Sequence, residues 1–178
     1  PDSYGFCLLN NISIGAAYAM NVHREKIRRV VIVDFDVHHG NGTEEIVKAL
    51  GRPDQIFFAS VHLYDKSTGF YPCSGGSDLL AENCMNLPVA PLWKHGSAPA
   101  RKQRGHSEPD AAGGGTDPGN SHAASAGAGR AAWRRLISQR LLFALRAFRP
   151  DLILMSTGFD GCRHDVGNKL LGNRRGTV

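Results

Sequence analysis

Val30-Val31-Ile32-Val33-Asp34-Phe35-Asp36-Val37-His38-His39-Gly40-Asn41-Gly42 is the stretch on which the fold turns. Four β-branched residues in a row, with no polar alternation, suit a strand buried on both faces of a parallel sheet. The run then breaks into acids, histidines and glycines. Thr43-Glu44-Glu45-Ile46-Val47-Lys48-Ala49-Leu50 resumes with helical spacing and is closed by Gly51. Strand, polar loop and helix follow in order, which places the loop at the strand's carboxyl end, where open parallel sheets gather their ligands.

Working outward, residues 8 to 22 place apolar side chains at 8, 9, 12, 16 and 19, predicting a helix entered from a Gly5-Phe6-Cys7 turn. Ile56 to Leu63 is a second strand, and Gly69 to Ser77 a loop. From about His95 to Gly129 the composition shifts to Gly, Ala, Ser, Pro and charge, too little apolar surface to offset the entropy of ordering. Residues 95–129 are read as a disordered insertion within one domain. Trp133, Leu136, Ile137, Leu141, Ala144, Leu145 and Phe148 then mark one face of a long helix, with arginines opposite, ended by Pro150. Leu152-Ile153-Leu154-Met155-Ser156 is a third buried strand, running into Thr157-Gly158-Phe159-Asp160-Gly161. Helix and buried strand in alternation give an α/β fold, a mostly parallel sheet flanked by helices.

With 178 residues, 42% of them hydrophobic and 21% charged, the chain fits one globular domain, 1–178. It opens on Pro1 and runs directly into an apolar stretch, so it reads as an internal piece of a longer protein. No stretch approaches the roughly 18 apolar residues of a membrane span, and no secretion signal opens it. An intracellular protein without a membrane partner is expected. The four cysteines are scattered singly, with neither CxxC spacing nor the density of a disulfide scaffold. The net charge of +5 arises in the arginine-rich second half, but no aromatic residues are interleaved for base stacking, so direct nucleic-acid binding is not expected.

Asp36 and His38 are two apart, so in an extended segment their side chains point the same way. Asp160, at the end of another strand, can supply a third ligand. Two carboxylates and one imidazole, with room left for water and substrate, suit a catalytic zinc site better than a structural one, which is closed and cysteine-rich. Taken alone, Asp-x-Asp-x-His also suits Mg²⁺ with phosphate, or histidines that merely hydrogen-bond to backbone.

The segment from Asp34 to Thr43 resembles the metal-loop signature of zinc-dependent histone deacetylases, in the Asn-bearing form of the class II branch. Gly5-Phe6-Cys7 with Asn10-Asn11, Ser60-Val61-His62, Gly69-Phe70-Tyr71-Pro72 and Arg149-Pro150-Asp151-Leu152-Ile153-Leu154 to Gly158-Phe159-Asp160 match the same family in the same order. The resemblance covers about residues 1–93 and 129–168. It implies the arginase/deacetylase fold and hydrolysis of N-ε-acetyl-lysine on histones or other proteins. Asp36, His38 and Asp160 would hold Zn²⁺. Asp34 would orient a catalytic histidine and share a structural K⁺ site with the backbone of Asp36, His38 and Val61 and the side chain of Ser60. Phe6 and Tyr71 would wall the channel that admits acetyl-lysine. Acetylated histone tails or other acetyl-lysine proteins, a co-repressor complex, and the nucleus or cytoplasm are the partners and compartments the family suggests.

In the family a His-His pair upstream of Gly-Phe-Cys supplies the base, and a tyrosine in Gly-Gly-Tyr supplies an oxyanion donor. Neither occurs in these 178 residues, so the chain reads as a fragment, expected to be inactive alone. His39 resembles a structural residue beside the metal loop rather than a substitute base. Cys73 and His164 stand where the family commonly has glycine. Two rival functions remain at this stage: a small-amide deacetylase acting on acetylpolyamines, and a catalytically dead module that binds a metal or a partner.

Overall fold

The computed structural model describes residues 7–81, 83–91 and 129–162. The expected turn at Gly5-Phe6-Cys7 therefore lies almost wholly outside the described residues. So does the expected disordered insertion at 95–129, apart from Gly129, which opens a helix. Among the described residues no helix is long and apolar enough to cross a membrane.

Five strands form one sheet in the order β3-β4-β2-β1-β5. β1 (Val30–Asp34) lies between β2 (Ile56–Leu63) and β5 (Leu152–Ser156), parallel to both. β2 pairs in parallel with β4 (Cys84–Val89), and β3 (Leu79–Ala81) joins β4 antiparallel. Every residue of β1 and β2 is buried, the polar Asp34, Ser60 and His62 included. β5 differs from expectation. It is half exposed, because it forms the sheet's edge among the described residues and no described helix extends over Ile153 and Met155.

The parity of the strands divides the core in two. Val30, Ile32, Ile56, Phe58 and Cys84 face α1 (Asn11–Val22) and α2 (Asn41–Leu50), meeting Ala16 and Val47. Val31, Val33, Phe57, Ala59, Val61, Met85, Leu87 and Val89 face the other layer, Ala132, Leu136 and Leu141. That layer is a continuous helical run: α3 (Gly129–Leu136), a π-helical turn (Ile137–Leu141) and α4 (Leu142–Phe148). The long helix expected from periodicity is present, with one wide turn in its middle.

α1 starts later than its apolar spacing suggests. The Asn10 side chain accepts the Ser13 N–H at 2.9 Å and caps the helix, leaving Leu8 and Leu9 outside it and exposed. Gly51, with φ +59°, closes α2 as expected.

Candidate metal centre

At the carboxyl end of the sheet, β1 and β5 release their chains side by side, because Asp34 and Ser156 are paired in register. Asp36 and His38 follow from β1, and Asp160 from β5. His38 Nδ1 lies 2.9 Å from Asp36 Oδ1 and 2.9 Å from Asp160 Oδ2. All three donor atoms fall within 4.8 Å of one another, and all three residues are half-buried. The backbone tightens the cluster: Val37 N–H donates to Asp160 Oδ1 at 3.1 Å, and His38 N–H to Asp36 Oδ1 at 2.7 Å. Gly158 makes room for it. A Cβ there would sit 1.7 Å from Asp36 Oδ2 and 3.0 Å from Asp160 Oδ1.

Burial of the His38 imidazole disfavours its charged form, but hydrogen bonds to Asp160 and Asp36 outweigh this and raise its pKa to about 9. Burial likewise works against ionised Asp160, yet the His38 and Val37 hydrogen bonds hold it below the usual carboxylate range. Two carboxylates thus converge on one nitrogen, a donor set suited to a divalent cation. Around zinc, with bonds near 2.0–2.2 Å, tetrahedral ligand atoms stand about 3.3 Å apart. The two spacings from His38 Nδ1, 2.9 Å each, need to open by only a few tenths of an ångström.

The His38 ring is stacked on Phe70, with centroids 5.2 Å apart and planes 5° from parallel, and meets Tyr71 edge-on at 5.9 Å. Tyr71, the expected channel wall, is partly exposed beside the cluster. Its expected partner Phe6 lies outside the described residues. Cys73 has φ +64°, a conformation that favours glycine, which fits its standing where a glycine was expected. His164 lies outside the described residues.

Beneath the loop, the sheet face that packs against α1 and α2 turns polar. Asp34, Ser60, His62 and Asn86 are all buried there. Asp34 is paired in register with Ser60 and accepts the Asp36 N–H at 3.1 Å; its pKa is raised to about 6, chiefly by burial. Val61, next to Ser60, turns its side chain into the opposite core. His62 Nε2 donates to the Gly75 carbonyl at 2.9 Å, so its Nδ1 accepts the Ser60 hydroxyl at 2.8 Å. Burial, reinforced by the neighbouring His39, lowers the His62 pKa to about 3.

His39 is also buried, its ring 4.6 Å from that of His62. Its Nε2 lies 2.7 Å from Glu44 Oε2 and 3.0 Å from Asn86 Oδ1, and its Nδ1 2.8 Å from Ser74 Oγ. Asn86 Nδ2 also donates to Glu44 Oε2, at 2.9 Å. The hydrogen bond from His39 is the main reason that the Glu44 pKa falls to about 2. Sequence reasoning gave no role to Glu44, Asn86, Ser74, Phe70 or Gly158. The signals were the family-like blocks that contain Phe70 and Gly158, and a polar Asn86 within an otherwise apolar segment.

A Histone deacetylase domain model matches residues 2–176. The chain belongs to the histone deacetylase family. This histone deacetylase domain is 33% identical over 176 residues to Type-2 histone deacetylase 2 of Dictyostelium discoideum, covering 94% of this chain and 8% of that protein. It is 28% identical over 170 residues to Histone deacetylase HDA1 of Saccharomyces cerevisiae, covering 91% and 19%. The structure of the histone deacetylase Clr3 superposes with a TM-score of 0.57 at 25% identity, covering 92% of this chain and 22% of the other. The fold is therefore the arginase/deacetylase fold, and the domain spans well under half the length of each of these relatives.

Proposed function

We propose that this histone deacetylase domain carries the zinc-holding part of a protein lysine deacetylase, which hydrolyses N-ε-acetyl-lysine and water to lysine and acetate. The reading rests on the convergence of Asp36, His38 and Asp160 in a chain of this family. Their two carboxylates and one imidazole match the donor preference of zinc and leave a position open. Bound there, zinc would lower the pKa of a water molecule and polarise the amide carbonyl.

The chain's own residues supply the rest of the assignment. Tyr71, beside the His38 ring, walls a channel in which the aliphatic stem of acetyl-lysine lies against an aromatic face, with Phe6 as the second wall. Asp34 is the acid that orients a catalytic histidine. Its side chain and that of Ser60, with the backbone of Asp36, His38 and Val61, form a structural K⁺ site. Because the Ser60 proton points to His62, the Ser60 oxygen offers only lone pairs, as a cation ligand must. His39 is not the general base, since both of its nitrogens are engaged in the buried network. Acetylated histone tails or other acetyl-lysine proteins are the substrates, in nucleus or cytoplasm, with a co-repressor complex as the assembly.

The test pairs a zinc titration of the chain with an acetyl-lysine peptide assay on the full-length protein. Asp36→Ala is expected to remove both zinc uptake and turnover. Turnover retained at an unchanged metal load would overturn the ligand assignment.

A further inference from the structure

We propose that Glu44 and Asn86 are positioning residues of the metal centre, which hold the backbone at His38 in place through the buried ring of His39. The inference rests on the metal reading above and extends it to residues that touch no ligand atom.

His38 and His39 are adjacent, so the anchor point of one fixes the starting point of the other. The carboxylate of Glu44 has no proton to give, which places the hydrogen of His39 on Nε2, aimed at Glu44 and Asn86. In the neutral ring Nδ1 then accepts from the Ser74 hydroxyl. One imidazole is thereby tied to α2, to β4 and to the loop after β2. The neighbouring backbone is held on both sides: Leu63 N–H donates to the Val37 carbonyl at 2.9 Å, and Glu44 N–H to the Gly40 carbonyl at 3.0 Å. Gly75 closes the cage, for a Cβ there would lie 2.5 Å from His62 Nε2 and 2.8 Å from the His39 ring. A metal site tolerates displacements of only about 0.5 Å in its ligands. Loss of an outer partner typically costs about ten- to a hundredfold in affinity.

Glu44 also pairs with Lys48, one turn further along α2, through its other oxygen Oε1. The two oxygens therefore separate two roles. Gln in place of Glu44 keeps a carbonyl oxygen that accepts from both His39 and Asn86, and gives up the charge and the acceptor that faces Lys48.

Cobalt(II) titration of the chain, followed by visible absorption, tests the proposal. Glu44→Ala and Asn86→Ala are expected to weaken Co²⁺ binding roughly ten- to a hundredfold and to change the absorption bands at saturation. Glu44→Gln restores most of both, and Lys48→Ala changes neither. If Glu44→Ala does not fold, Asn86→Ala carries the test. Wild-type affinity and spectrum in the Ala variants, while Asp36→Ala binds nothing, would overturn the positioning role. So would an affinity loss that only follows the folded fraction, with an unchanged spectrum at saturation. No Co²⁺ uptake by the wild-type chain would instead bring down the metal reading itself, and this inference with it.

Discussion

Gly158 and His62 are the two positions where a single side chain most directly tests the site. Backbone at Gly158 lies against the Asp36 carboxylate with no room for a methyl group, and a carboxylate two bonds from its own backbone has little freedom to retreat. Gly158→Ala is therefore expected to lower zinc affinity at least a hundredfold while leaving the strands folded, read by zinc titration beside circular dichroism. His62 tests the polar layer below. Its folded pKa of about 3 lies under the 6.5 of an exposed imidazole, so between these values the unfolded chain binds more protons and stability falls on acidification. Asp34 works in the opposite sense between about 6 and 3.8, where the folded chain binds more protons, and masks part of this slope. The comparison with His62→Asn isolates the histidine. From pH 7 to 4.5 the urea midpoint of the wild type is expected to drop further than that of the variant; equal drops would mean that His62 is not held neutral by burial.

At the level of elements, the readable features were those whose cause is local. β1 and α2 followed from an unbroken β-branched run and from Gly51, β2 from a mostly apolar stretch, and the convergence of Asp36, His38 and Asp160 from their place at two strand ends. The start of α1 did not, because periodicity registers Leu8 and Leu9 but not the Asn10 cap that excludes them. β4 was missed because Asn86 and Pro88 argue against a strand. The sheet tolerates both: Asn86 turns into the polar layer, and β3 pairs with β4 only from Cys84 to Asn86, leaving the side of Pro88 away from β2 without a strand among the described residues. With β4 unseen, the Glu44–His39–Asn86 network could not be read either. β5 carries the same kind of apolar run as β1 but occupies the edge among the described residues, which no composition reveals. Ile32→Ala in β1 is expected to cost roughly 2–5 kcal/mol. Met155→Ala in β5, 58% exposed, should cost no more than about 0.5 kcal/mol. Urea denaturation of the two variants measures the contrast, and similar losses would mean that the outer face of β5 is covered in solution.

For the whole molecule, the consequence of the proposed metal centre is a link between chain segments far apart in sequence. Val37 and Asp160 are 123 residues apart, and the loop between them is closed only in the folded state. An ion held by Asp36, His38 and Asp160 therefore binds the native chain far better than the unfolded one, where the ligands are dispersed. At a hundred times its dissociation constant, such a ligand stabilises the fold by about 2.7 kcal/mol. For a chain of this size each kcal/mol raises the melting temperature by about 2–4 °C, so zinc is expected to raise it by roughly 5–10 °C. Asp160→Ala separates this origin from any other, because it removes the ligand contributed by β5 and leaves the β1 pair intact. In that variant the melting temperature should be the same with and without zinc. A shift that survived the substitution would mean that the ion binds other side chains, and the link between β1 and β5 would have to be made by hydrogen bonds alone.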